Sequence, residues 1–311
     1  MNRGLMNWVI LVALALTWGS SFILMKRGLE VFSSDQVAAL RIFIAFLFLS
    51  PLLFKHIKKS LLKHWKGYVG MGVIGNLVPA FLFTKAETGI SSSLTGALNS
   101  LTPLFTLLVG VILYREKTGW VNVLGIIIGF VGATGLAMVG KESGMDDELL
   151  FIFYVVLATV CYALSVNIIK KHLSEVDSLT ATVWALMFIG PVAGCYLFST
   201  DFTERLVNQP DAWSSLGYTS ILAIFGTALS VIVFNTLIKN TNALFASSVT
   251  YLIPIVAMGW GIFDNEAVSV LHFAWIGLIL LGVYLVNKEL PVSRLQPVSS
   301  EEAQESEKKV L

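Results

Sequence analysis

Charge is scarce in this sequence. Of its 311 residues, only 13% are Asp, Glu, Lys or Arg, and the formal net charge is +1. A soluble domain typically has about a quarter of its residues charged, so the composition argues against an ordinary soluble protein. The near-zero net charge argues neither for nucleic acid nor for an acidic partner.

Groups that perform chemistry are equally sparse. The two cysteines, Cys161 and Cys195, both lie inside apolar runs and are interpreted as small hydrophobic residues. No H-E-x-x-H, phosphate-binding loop or metal-spaced cluster is present, and the four histidines lie in flanking segments or at the end of a run. An intramembrane enzyme is therefore disfavoured, and no cofactor or metal is expected.

Apolar residues dominate the chain. They make up 56% of the residues, and the mean hydropathy is +0.78. A helix needs about 20 mostly apolar residues to cross a bilayer. Runs of this kind predict an all-α polytopic membrane protein with ten transmembrane helices, at Met6–Met25, Gln36–Phe54, Gly67–Thr84, Ser91–Leu113, Trp120–Val139, Leu149–Ile169, Leu179–Ser199, Ser214–Ile238, Ala243–Phe263 and Leu271–Val286.

The placement of Lys and Arg predicts the orientation. With ten spans and a cytoplasmic N-terminus, most of the 21 basic residues fall on the cytoplasmic side, and acidic residues dominate the opposite loops. The exceptions are Lys26, Arg27, Lys85, Lys141 and Arg205 on the outer side, and Arg41 within a span. Both termini are therefore predicted to be cytoplasmic, in a bacterial inner membrane.

The first apolar run has one rival interpretation, because Arg3 and the small residues before "LTWGSSF" resemble a cleavable signal peptide. The run continues to Met25, however, and its removal would reverse the charge bias of every later loop. A transmembrane helix is the favoured interpretation.

The two halves of the chain resemble each other. The first and sixth spans end similarly, as "WGSSFILMKRGL" and "YALSVNIIKKHL", so that Trp18 matches Tyr162. Later spans share aligned residues: Pro103 with Pro254, Glu116 with Glu266, Gly67 with Gly217, and Tyr68 with Tyr218.

Five spans per copy make the repeat inverted, because five is odd and the second copy starts on the opposite side. The predicted organisation is a first five-helix repeat over residues 1–140, an outer loop at 141–148, a second repeat over 149–287 and a disordered polar tail at 288–311. Inverted repeats place a substrate site near the bilayer midplane between the halves, where rocking of the halves gives alternating access.

These motifs resemble the EamA family of the drug/metabolite transporter superfamily. The matching stretches are "WGSSF", "ALRIFIAF", S-L-T-P-L with "REKTGWVNVLGIIIGFVG", "YLIPIVA" and "NEAVSVLHFAWIGLILLGV". The resemblance implies a five-plus-five helix transporter that exports small metabolites such as amino acids, but it does not identify the solute. Asn265 beside Glu266, and Asn76 and Pro79 in the third span, depart from the usual pattern.

Polar and aromatic residues within the spans are the candidates for substrate binding, because polar groups in hydrocarbon need a partner or a cavity. They are Trp18, Ser20, Ser21, Asn76, Asn99, Thr102, Tyr162, Trp184, Asn235, Thr250 and Tyr251. The alternatives are close helix packing for the serines, interhelical bonds for the asparagines, and plain packing, which is favoured for Trp184 and Tyr251. Trp18 is too deep for an interfacial residue, which favours a cavity wall or gate.

Three prolines are candidates for helix kinks or gates. Pro79, Pro103 and Pro254 lie within spans, where a proline removes a backbone hydrogen bond and leaves a carbonyl to be satisfied by neighbours or a cavity. A purely structural kink is the alternative.

Four charged residues are candidates for the vestibule or for ion coupling. Arg41 could bind a substrate carboxylate, although extension to the surface or an intraprotein ion pair is favoured. Lys85 and Glu87 are expected in the outer vestibule, and Glu266 at a helix end. No Asp or Glu occupies a span centre, which weakens a proton- or sodium-coupled mechanism.

The sequence thus predicts a metabolite exporter. Its expected partners are a small-molecule substrate and the lipid bilayer, without nucleic acid, and its expected state is a monomer or homodimer. The main alternative within the transporter class is another solute, such as a drug, nucleobase or sugar derivative. A channel is a weaker rival, because no ring of charges is evident.

Overall fold

The structure is a computed structural model that describes residues 3–56, 61–115, 118–139, 145–240 and 249–287. Within these ranges every regular element is a helix. Two of them are short π-helical segments, π1 (Val73–Leu77) and π2 (Leu222–Leu229). The others are α1 (Arg3–Leu29), α2 (Ser34–His56), α3 (Leu61–Gly72), α4 (Val78–Ala86), α5 (Ser92–Asn99), α6 (Thr102–Tyr114), α7 (Trp120–Ala137), α8 (Met145–His172), α9 (Ser178–Phe198), α10 (Phe202–Asn208), α11 (Ala212–Ile221), α12 (Ser230–Asn240), α13 (Val249–Phe263) and α14 (Val270–Asn287).

Eight helical runs in the described part are long and apolar enough to cross a membrane. Two shorter apolar helices follow them, at Leu252–Phe263 and Val270–Val286. These two coincide with the ninth and tenth predicted spans, although residues 243–248 of the ninth lie outside the described ranges. Many large apolar side chains face outward, among them Ile112, Trp120 and Phe263, which suits a surface covered by lipid. The protein is a polytopic helical membrane protein.

The outer loop predicted at 141–148 is shorter than expected. Helix α8 already begins at Met145, four residues before the predicted span. The acidic sequence at 146–148 suits a helix N-terminus, where the helix dipole favours negative charge. Residues 140–144 and the predicted tail lie outside the described ranges.

Helices from the first part of the chain pack on helices from the second part. Helix α1 packs on α13, and α8 packs on α5 and α6. Helix α8 also packs on α4, and α1 on α11 and α12; α3 packs on α9, and α2 on π2. The remaining large contacts pair α2 with α9, α7 with α14 and α5 with α13. The interior is therefore built across the two halves rather than within each half.

Small residues allow the α7–α14 pair to pack closely. A side chain at Gly282 would overlap backbone atoms of Gly125 and Gly129 on the facing helix. Such contacts are typical of membrane helices, where close backbone approach replaces hydrophobic burial as a source of association.

Candidate functional site

A cavity lies between helices from both halves of the chain. Its walls come from α1, α2, α3, π1, α4, α5, α6, α8, π2, α12 and α13. The space open to the centres of water-sized molecules is about 190 Å³. Since one water needs roughly 10–15 Å³ of such space, the cavity is large enough for a small organic molecule.

Most of the predicted binding residues line this one cavity. They are Trp18, Ser21, Asn76, Asn99, Thr102, Tyr162, Asn235 and Thr250, and Arg41 joins them. Their convergence from six helical runs could not be deduced from their positions in the sequence. Their role in binding a solute stays a prediction.

Several lining residues were not among the candidates. They include Gly75, Phe83, Ser165, Gly226, Thr227 and Phe234. Gly75 adjoins Asn76, and Gly226 adjoins Thr227, so a polar residue beside a glycine was the available signal. This signal is weak, because glycine and small hydroxyl residues are common throughout membrane helices.

The two π-helical segments lie against the cavity. A π turn leaves backbone carbonyls without their usual α-helical partners, and such turns are frequent at functional sites. The Asn76 amide donates to the Met71 carbonyl at 2.9 Å, and the Ser230 hydroxyl donates to the Phe225 carbonyl at 2.6 Å. In π2, the Trp18 indole N–H donates to the Gly226 carbonyl at 3.0 Å. Side chains at the cavity thus satisfy the irregular backbone.

Aromatic rings form two parts of the wall. Trp18 meets Phe234 edge-on with ring centroids 5.0 Å apart, and Phe83 stacks on Tyr162 with centroids 5.6 Å apart. Aromatic walls of this kind bind the apolar part of a ligand, while a few polar groups fix its orientation.

The fourth span is interrupted beside the cavity. Helix α5 ends at Asn99 and α6 begins at Thr102, so Pro103 lies in the first turn of α6. The proline cannot donate to the Asn99 carbonyl, and the Thr102 hydroxyl donates to it at 2.8 Å instead. Pro79 likewise lies in the first turn of α4, directly after π1, whereas α13 continues through Pro254.

One favoured interpretation was that Arg41 extends to the surface. The structure shows that it does not. It is 9% exposed and lines the cavity. Its Nε donates to the Thr227 hydroxyl at 2.7 Å, and its guanidinium also lies close to the Tyr162 hydroxyl. Among the described residues, none of the ion pairs involves Arg41.

Charged residues meet at one end of the helices in an ion-pair cluster made of Lys26, Arg27, Asp264 and Glu266. Lys26 Nζ lies 2.5 Å from Asp264 Oδ2 and 2.9 Å from Glu266 Oε1, and Arg27 pairs with Asp264. The cluster joins the end of α1 to the loop after α13.

Glu266 also caps helix α5. Its Oε1 accepts from the Ser92 backbone N–H at 3.1 Å and its Oε2 from the Ser93 backbone N–H at 3.0 Å, and both serine hydroxyls donate to it as well. The prediction that Glu266 lies at a helix end is confirmed. Burial by itself raises the pKa of Glu266, but the hydrogen bonds from Ser93, Lys26 and Ser92 outweigh it and lower the pKa to about 2.

Glu87 lies near this cluster in the opposite environment. Both of its carboxylate oxygens are buried and have no hydrogen-bond partner in the part of the chain that the structure describes. Burial raises the pKa of Glu87 well above its ordinary value, and the negative charge of Glu266 adds to the rise. A solvent-facing vestibule was expected; Lys85 is exposed, but the Glu87 carboxylate is not.

Two predicted binding residues stand apart from the cavity, and a third cannot be placed. Ser20 accepts from the Trp260 indole N–H at 2.7 Å and is absent from the lining. Trp184 stacks on Tyr68 in a separate buried cluster, as its packing alternative predicts. Tyr251 belongs to helix α13, but its side chain lies outside the described part.

A comparison of the sequence with known families decides the class of protein. The profile of the EamA-like transporter family matches residues 6–138 and again residues 149–288. The chain belongs to the EamA-like transporter family.

Curated relatives of this EamA-like transporter cover nearly its whole length. A protein of Archaeoglobus fulgidus named as an uncharacterized transporter is 28% identical over 91% of this chain and 99% of its own. The uncharacterized inner membrane transporter YedA of Escherichia coli strain K12 is 26% identical over 89% of each chain. The uncharacterized transporter YvbV of Bacillus subtilis is 26% identical over 90% of each chain.

A solved crystal structure shares the fold of the EamA-like transporter. The TM-score is 0.60 at 14% sequence identity, and the alignment covers 90% of this chain and 95% of the other. At this identity the similarity concerns the fold alone.

One departure from the family pattern has a local explanation in this EamA-like transporter. Asn265 adopts the left-handed backbone conformation with φ of 58°, which Asn tolerates better than most residues. This turn directs the chain from α13 so that Glu266 reaches the first turn of α5.

Proposed function

We propose that this EamA-like protein is a secondary transporter that exports small organic metabolites, namely amino acids or related zwitterionic compounds, by alternating access. The observation that carries the proposal is the central cavity, which combines aromatic rings with hydroxyl and amide groups deep in an apolar protein. Polar groups at such depth cost free energy unless they serve a ligand or a pathway.

We infer a ten-span, inverted five-plus-five arrangement. It is supported by matching contacts in the two halves. Span 1 packs on spans 8 and 9. Span 6, the counterpart of span 1, packs on spans 3 and 4, which are the counterparts of spans 8 and 9. The alignment of Gly67 with Gly217 also places π1 within the region that corresponds to π2. An irregular segment at corresponding positions of two repeats is typical of transporter binding regions.

The proposed membrane is the bacterial inner membrane, with both termini on the cytoplasmic side. The distribution of Lys and Arg supports this orientation, and the relative YedA is named as an inner membrane transporter. The ion-pair cluster then lies at the outer end.

In this arrangement the ion-pair cluster closes the outer end of the pathway. It ties α1 to the loop after α13, and Glu266 ties that loop to α5. The cavity continues away from this end, toward Ile169, Asn235 and Thr250. Export requires the cluster to separate while the inner end of the cavity closes.

The direct test is transport by the full-length protein in proteoliposomes. Radiolabelled amino acids and related metabolites are offered one at a time, and uptake is measured with and without unlabelled solute on the opposite side. Saturation together with counterflow is the expected result, because a carrier exchanges solute through one site. Flux that rises linearly with concentration, or chemical conversion of the solute, would contradict the proposal.

Trp18→Ala tests the cavity as the transport site. We expect about tenfold lower uptake, since the lost ring contact with the solute is worth roughly 1.4 kcal/mol. Trp213→Ala is the matched control, because Trp213 is 72% exposed and is not among the lining residues. Equal uptake by both variants would place the transport site elsewhere.

A further inference from the structure

Arg41 is a buried cation without an anion. One of its five N–H groups donates to Thr227. In the described chain, no carboxylate lies within ion-pair distance of its guanidinium, and none of the residues lining the cavity is acidic. The nearby Glu87 is buried without a partner, an environment that favours its neutral acid.

A buried guanidinium in this position would be stabilised by a negatively charged partner. Its fork of N–H groups matches a carboxylate with two parallel hydrogen bonds. Burying a cation costs several kcal/mol unless it is paired and hydrogen-bonded. The Tyr162 and Thr227 hydroxyls lie beside the guanidinium and supply further polar contacts.

We propose that Arg41 binds the carboxylate of the transported solute in this cavity, so that the substrate class is small organic acids and amino acids rather than organic amines. The inference rests on the proposed function, because it takes the cavity as the transport site. The ring pairs Trp18–Phe234 and Phe83–Tyr162 then receive the apolar part of the solute.

Two features favour a carboxylate over a phosphate. The described lining contains a single cationic side chain, Arg41, which balances one negative charge, whereas a phosphate ester carries nearly two at neutral pH. The remaining polar lining consists of hydroxyls and amides, such as Asn99, Asn235 and Thr250. These groups can accept hydrogen bonds from an ammonium group but cannot neutralise it.

The test uses matched sets of three solutes: an amino acid, the same molecule without its ammonium group, and the same molecule without its carboxylate. Three sets are added to the purified full-length protein: alanine, propanoate and ethylamine; leucine, 4-methylpentanoate and 3-methylbutylamine; phenylalanine, 3-phenylpropanoate and 2-phenylethylamine. Binding is measured from the ligand-dependent rise in melting temperature. We expect the carboxylate members of at least one set to bind, and its amine to bind at least about tenfold more weakly, because the charge-assisted pair is lost.

Variants of Arg41, the proposed carboxylate anchor, test which group binds the carboxylate. Arg41→Gln should weaken carboxylate binding by about tenfold or more and should not weaken amine binding, because the repulsion between two cations is removed. Arg41→Lys should retain part of the affinity, because it keeps the charge without the fork. Thr227→Val and Tyr162→Phe keep the cation and should each give a smaller loss, so the test remains decisive if Arg41→Gln does not fold.

Defined results would overturn the inference. They are amine binding equal to carboxylate binding, the absence of any carboxylate-dependent rise, or unchanged carboxylate affinity in Arg41→Gln. Tighter binding of phenyl phosphate than of benzoate would overturn the choice of carboxylate. If carboxylates bind but no flux occurs in liposomes, the anchor stands and the transport function fails; if flux occurs equally with amines, transport stands and the anchor fails.

Discussion

Charged side chains are paired in the ion-pair cluster and unpaired beside it. In the cluster, Lys26 and Arg27 meet Asp264 and Glu266, and Glu266 has hydrogen bonds to both of its oxygens. Arg41 and Glu87 lie nearby, and neither has an ion-pair partner in the part of the chain that the structure describes. The charges of the cluster hold helices together, whereas Arg41 is available to a solute and Glu87 to a proton.

Removing Glu266 should produce the largest effect. Glu266→Gln leaves Lys26 without one carboxylate partner and weakens the cap of α5, so we expect a loss of about 3 kcal/mol in stability. The measurement is the melting temperature of the detergent-purified protein. Glu30→Gln is the control: Glu30 pairs with Arg27 but its side chain is 50% exposed, and its loss should stay below about 1 kcal/mol. Equal effects would show that the cluster has no special role.

Acidification should remove the same interaction. The pKa of Glu266 is lowered to about 2 in the folded protein, so its contribution is present above the ordinary carboxyl range and is lost as the pH falls toward about 2. After allowance for solvent we expect a loss of about 2 kcal/mol. The check is the melting temperature of wild type and Glu266→Gln between pH 7 and 3, and the gap between the two curves should narrow toward pH 3. Parallel curves would contradict the assigned pKa.

Glu87 should behave in the opposite way. Because burial raises its pKa in the folded protein, the wild type is most stable below the ordinary carboxyl range and loses stability as the pH rises through the raised value. Glu87→Gln removes this loss, so we expect the variant to be more stable than the wild type at pH 8 and the gain to disappear at low pH. A destabilised variant at pH 8 would reveal a partner for the ionised carboxylate.

A pair of neighbouring serines extends the comparison to uncharged groups and should show the smallest effect. Ser20 is paired with Trp260, whereas Ser21 lines the cavity. Ser20→Ala should cost below about 1 kcal/mol in stability and leave transport unchanged, while Ser21→Ala should raise the KM for the solute a few-fold. If Ser20→Ala raised the KM and Ser21→Ala lowered only the stability, the roles assigned to the two serines would be wrong.

The sequence predicts the helical spans well because their signal is local. A run of apolar residues with charged flanks is visible in a short window, and α1, α2, α9 and their neighbours follow it. The interruption before Pro103 is also local, because proline removes a specific hydrogen bond.

The site was only partly predictable, because its contacts join distant residues. Ser20 and Ser21 are indistinguishable in the sequence, and only the position of Trp260 separates them. Whether Arg41 has a partner depends on every helix that surrounds it, and the favoured interpretation was wrong for that reason. The π segments depend on tertiary packing, and no local sequence pattern predicts them.

The irregular helices limit how this protein could acquire a new specificity. Asn76, Ser230 and Trp18 complete the hydrogen bonding of π1 and π2, so a substitution that changes selectivity at these positions also weakens the fold. Asn235 lines the cavity and is not among the side chains that complete π1 and π2. Adaptive change, natural or in the laboratory, should therefore accumulate first at Asn235, where a new solute can be accommodated without loss of a backbone partner.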